Sequence, residues 1–80
     1  MLLSQMDNGA HARVTGFSTP LPEVGPHTLR RLEELGFIAG EPVRMLGRGP
    51  GGREPLAVQV GESLFALRLL EARCIEVEAA

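Results

Sequence analysis

Gly47, Gly49 and Gly52 spell G-x-G-x-x-G, the spacing that lets a backbone close on a pyrophosphate. That chemistry needs a helix opening directly behind the glycines, within a strand-helix-strand unit. Arg53, Glu54 and Pro55 instead lead into a further strand. A Walker-type loop needs a lysine, and the chain has none. Gly47 to Glu54 therefore reads as a wide hairpin tip whose Arg48 and Arg53 are available to an acidic partner.

The two imidazoles, His11 and His27, are the next candidates for chemistry. Neither stands at metal-ligand spacing from another His or Cys, and a catalytic zinc site takes about three protein ligands. His27 follows Pro26 at a helix entrance near Glu23, and His11 faces outward on the first strand, opposite Ala10 and Ala12. His11, His27 and Glu23 are the candidate ligands for an adventitious divalent ion, zinc or iron, which would also allow a weak or metal-bridged dimer. No cofactor is required. Cys74 has no second cysteine with which to form a disulfide and no Cys-x-x-Cys spacing, which fits a reducing compartment. It alternates with core residues on a strand, no nucleophile elbow is present and the carboxylates are scattered, so the chain does not read as an enzyme.

These residues are positioned by one helix and a set of short strands. In TLRRLEELGFIAG, from Thr28 to Gly40, Leu29, Leu32 and Leu35 fall within an arc of roughly 120° at helical spacing, and Arg30, Arg31, Glu33 and Glu34 fill the rest. Thr28 is the expected N-cap and Gly36 the left-handed stop. So short an amphipathic helix is stable only when docked on a larger body. Arginines early and glutamates late oppose the helix macrodipole, so local helix stability does not explain Arg30 and Arg31. They either pair with carboxylates elsewhere on the molecule or form a basic ridge for a partner. Arg30, Arg31 and Glu34, with Arg48, Arg53 and Arg68, are the candidate partner-binding residues.

Outside the helix the period is that of strands. Ala10–Phe17 places Ala10, Ala12 and Val14 on one face, and prolines 20, 22 and 26 mark a loop from Ser18 to Pro26. Val43 and Met45 share a face of Pro42–Leu46, and Leu56, Val58 and Val60 alternate in the strand after the glycine-rich tip. Gly61-Glu62 turns tightly into Leu64–Leu67, Leu69–Ala72 makes a single helical turn, and Cys74–Glu78 closes the chain with Ile75 and Val77 inward. Five strands and one helix in a single domain, residues 1–80, imply a small bent sheet that closes on itself. The expected fold is mainly β: an SH3-like five-stranded barrel with one short α-helix between the first and second strands. An OB-type barrel is the runner-up.

Composition narrows the function. With 44% hydrophobic and 22% charged residues the chain is an ordinary globular protein, and the opening MLLSQMDNG lacks the pattern of a signal peptide. A cytoplasmic location follows as the expectation. The net charge is -2, all eight cationic side chains being arginines, and Trp and Tyr are absent. That balance disfavours phosphate-backbone binding and offers few platforms for stacked bases.

With those residues in place, the chain resembles the FeoA family, small cytoplasmic companions of the ferrous iron transporter FeoB. The resemblance runs from about Val14 to Val77. It rests on Arg30, Leu32, Leu35 and Gly36 at the helix end, Gly40, the hairpin from Pro50 to Pro55, Leu67-Arg68 and Ile75-Glu76-Val77. Ala39 stands where the family often has proline, and the hairpin tip is slightly longer than usual. The resemblance implies an SH3-like adaptor assisting iron uptake by contact with the transporter's cytosolic GTP-binding domain. Two alternatives stand beside it: an SH3-like regulatory module acting in trans on an iron-dependent repressor, and a weak nucleic-acid-binding small barrel.

Overall fold

A computed structural model of the chain describes residues 1–18 and 24–80. Its strands are β1 (His11–Phe17), β2 (Pro42–Gly49), β3 (Arg53–Val60), β4 (Ser63–Leu67) and β5 (Ile75–Ala79). All neighbours pair antiparallel, in the order β4-β3-β2-β1-β5. Helix α1 (Pro26–Leu35) lies between β1 and β2, and the one-turn helix α2 (Leu69–Ala72) precedes β5. The mainly β, SH3-like architecture expected from the strand periodicity is the one observed, except that the sheet does not close on itself: β4 and β5 are its two edges and are not paired with each other.

Alternation along the strands explains why the sheet has one dry face. Ala12 and Val14, Val43 and Met45, Leu56, Val58 and Val60, Leu67, Ile75 and Val77 are all buried. The residues between them point to water, as period-2 geometry requires. Register shifts between Val14 and Gly16 on β1 and between Met45 and Gly47 on β2 insert an extra residue into each strand. Such bulges bend a sheet and increase its twist, which lets five short strands wrap one core.

The helices and the N-terminus seal the open side of that core. Leu32 and Phe37 are fully buried, and the Phe37 ring meets Phe65 with centroids 6.1 Å apart at 50°. Leu29 and Leu35 pack at the margin. Leu3 and Met6, on and after a 3₁₀ turn at Leu3–Gln5, are buried with the inward strand residues. The segment has neither helical nor strand periodicity, so its burial is not visible in the sequence.

Several boundaries differ from expectation, three of them at residues singled out above. Helix α1 starts at Pro26, with Gly25 as N-cap and no side-chain cap, so Thr28 lies inside the first turn. Proline suits the first helical position, where its missing N–H has no partner to lose. The wide glycine tip is narrower than expected: β2 runs to Gly49, a 3₁₀ turn covers Pro50–Gly52 and β3 begins at Arg53. Cys74 lies just before β5, buried, with its thiol donating to the Leu70 carbonyl at 3.3 Å. Gly36 does end α1 in the left-handed region, at φ 117°, with its N–H donating to the Glu33 and Leu32 carbonyls.

Candidate functional site

Charged groups join α1 to α2. Arg31 Nη2 donates to Glu71 Oε2, joining the exposed face of α1 to the single turn of α2. Glu71 Oε1 accepts the Arg68 backbone N–H at 2.8 Å, and Glu54 Oε1 accepts the Leu69 N–H at 2.5 Å. These carboxylates satisfy amides at the start of α2 that have no partner within the helix. One carboxylate from the β2-β3 hairpin and one arginine from α1 therefore fix the position of a four-residue helix too short to hold itself.

A cleft of about 490 Å³ opens beside this junction. Val24, Thr28 and Arg31 line it together with Ala66, Arg68, Leu70 and Glu71. Arg68 is exposed, and its guanidinium has no hydrogen-bond partner among the described residues. Glu71 is largely enclosed, with 13% of its side chain accessible against 55% for Arg31. Glu71 is thus already matched by Arg31, which leaves Arg68 as the cation presented to an incoming group.

The expected site residues separate into distinct places. Arg31 and Arg68 share this cleft, and Arg30 and Glu34 are exposed on the same helix. Because α1 begins at Pro26, Arg30 and Arg31 fall in its second turn, and the argument from the macrodipole loses most of its force. Arg31 owes its place to Glu71. Arg48 points away from any partner: its Nη2 donates to the Ser4 carbonyl at 2.8 Å and the Met6 carbonyl at 2.9 Å, clamping the N-terminal segment. Arg53 is exposed at the start of β3.

His11 is exposed on β1, opposite Arg44 of β2, in a shallow depression shared with Pro42 and Gln59. His27 is exposed in the first turn of α1, and Glu23 lies outside the described residues. Among the described residues no group of three or more His, Cys, Asp or Glu side chains is placed to hold a metal ion. A larger cleft of about 700 Å³ runs between the N-terminal segment and α2, lined by Leu2, Gln5 and Leu69, with Arg73 and Glu76 as its charged groups. Sequence reasoning missed Glu54 and Glu71. The signal for Glu71 was its spacing, three residues after the residue preceding α2, where a carboxylate reaches back to the first free amide; Glu54 carried none, because its contact joins residues 15 apart in the chain.

Fold and site together define a small SH3-like barrel with a helical insertion and a basic cleft at the helix junction. The FeoA domain model matches residues 1–79, and the chain belongs to the FeoA family. It is similar to the zinc-complexed FeoA of Stenotrophomonas maltophilia, described as an SH3 domain protein and suggested ferrous iron transport activating factor. The two are 44% identical over 98% of this chain and 89% of that one, with a TM-score of 0.84. FeoA of Chlorobium tepidum is 32% identical over 99% of this chain and 70% of its own, also at 0.84. A manganese-dependent transcriptional repressor complexed with manganese matches at a TM-score of 0.81 and 20% identity, covering 99% of this chain and 36% of that one, a likeness of fold. No curated protein matches the chain. No helix among the described residues is long and apolar enough to cross a membrane.

Proposed function

We propose that this chain is a small cytoplasmic adaptor that assists ferrous iron uptake by docking on the cytosolic GTP-binding part of a FeoB-type transporter. The observation that carries this reading is the family match across residues 1–79. The cleft between α1 and α2 is the contact surface it favours, with Arg68 meeting an acidic or phosphate-bearing surface, Arg31 held in place by Glu71 and Arg30 exposed on the same helix. Ordinary SH3 recognition of proline-rich peptides relies on aromatic-lined grooves, and a chain without Trp or Tyr is poorly equipped for it. The interaction is one protein surface against another.

Docking alters transport through differential affinity: an adaptor that binds one transporter conformation more tightly raises its population by that ratio. The experiment is a titration of the transporter's purified cytosolic domain with this chain, following both binding and GTP hydrolysis. Saturable binding that weakens about tenfold in Arg30→Ala/Arg68→Ala supports the reading, two exposed charge contacts together contributing about that much. An arginine supplied in trans to the nucleotide would raise hydrolysis by about 10³-fold or more. Binding without a rate change removes that version and keeps docking; no binding removes both.

A further inference from the structure

The two edges of the sheet are treated differently. At the β5 edge the N-terminal segment lies alongside: Leu2 bridges to Glu76, the Val77 N–H donates to the Met1 carbonyl at 2.8 Å, and Arg48 anchors the segment behind. The β4 edge has no such cover. β4 pairs with β3 alone, and its outward backbone groups find no partner among the described residues. Gly61 at φ 58° and Glu62 make a two-residue turn, so Val60 and Ser63 form the first hydrogen-bonded pair of the hairpin. By alternation the N–H and C=O groups of Leu64 and Ala66 point to the free edge. Protective devices are missing from it: β4 carries no lysine, no proline and no bulge, and Leu64 is 66% exposed.

The sequence of this edge, Glu62-Ser-Leu-Phe-Ala-Leu-Arg68, is complementary to itself. Set antiparallel against a second copy with Phe65 opposite Phe65, Leu64 of each chain falls opposite Ala66 of the other. These are the residues whose backbone groups face outward, so the register satisfies them. It also places Glu62 of each copy opposite Arg68 of the other. Both are exposed, Glu62 in the turn that enters β4 and Arg68 directly after the strand. The carboxylate thereby arrives at the mouth of the cleft lined by Arg68, Arg31 and Thr28. We propose that β4 is a self-association edge through which two copies form a continuous antiparallel sheet, closed by two reciprocal Glu62–Arg68 pairs. This association needs no metal. It also covers Arg68, so the dimer and the docked adaptor exclude one another.

The test uses the purified chain alone, in EDTA, followed by sedimentation equilibrium over a dilution series up to its solubility limit. The wild type is expected to show a monomer–dimer equilibrium. Glu62→Arg and Arg68→Glu each turn two attractive pairs into two repulsive ones and are expected to raise the dissociation constant about tenfold or more. Glu62→Arg/Arg68→Glu restores both pairs and brings the constant back toward the wild-type value. The Leu64 and Ala66 amides gain hydrogen-exchange protection with dimer content. A chain that stays monomeric throughout, single variants that dimerise as well as the wild type, or a double variant no tighter than the singles overturns the proposal.

Discussion

At the scale of single residues, arginine does two kinds of work here, and only the surroundings distinguish them. Arg31 and Arg48 are structural anchors, the first closing α1 onto Glu71 and the second holding two carbonyls of the N-terminal segment. Arg30, Arg53 and Arg68 are exposed and make no such contact among the described residues. Removing Arg48 leaves the Ser4 and Met6 carbonyls without their charged donor in a half-buried setting, so Arg48→Ala is expected to cost about 2 kcal/mol. Urea unfolding measures it. A loss no larger than that of Arg53→Ala, at an exposed residue, would show that the clamp contributes nothing. That distinction was not legible in the sequence: the five candidate arginines look alike there, and the carbonyls that capture Arg48 lie more than 40 positions away.

The elements were the most legible part, because strand alternation and the leucine spacing of α1 report burial directly. The inward residues of β1, β2, β3 and β5, the single turn of α2 and the Gly36 stop all stand where periodicity places them. Periodicity is silent on segments without a period, and the buried N-terminal turn was lost for that reason. The glycine-rich tip shows the same limit in another form. Its G-x-G-x-x-G spacing serves the hairpin: a Cβ on Gly49 would stand 2.1 Å from the Glu54 carbonyl oxygen, while Gly51 and Gly52 hold positive φ in the turn. A Cβ on Gly47 meets nothing within 4 Å. Gly49→Ala is therefore expected to destabilise by about 1–3 kcal/mol, the range for overpacking. Gly47→Ala should stay within about half a kcal/mol of wild type, as unremarkable surface changes do. Thermal denaturation of the pair decides it, and equal effects would mean that the hairpin does not need the close approach.

For the whole molecule, family and fold were within reach of the sequence because both rest on the same buried leucines, valines and glycines. The contact surface proposed above was only half visible, since the cleft between α1 and α2 depends on Glu54 and Glu71 meeting the amides at the start of α2. The same barrel in a manganese-dependent repressor shows how little the fold alone decides about its partner. The central claim, that this chain assists ferrous iron uptake through its basic helix junction, is tested most directly in cells deleted for it and restored with wild type or Arg30→Ala/Arg68→Ala. Ferrous iron uptake should fall in the deletion, return with wild type and return only partly with the double variant at equal protein level. Normal uptake in the deletion would contradict the account outright.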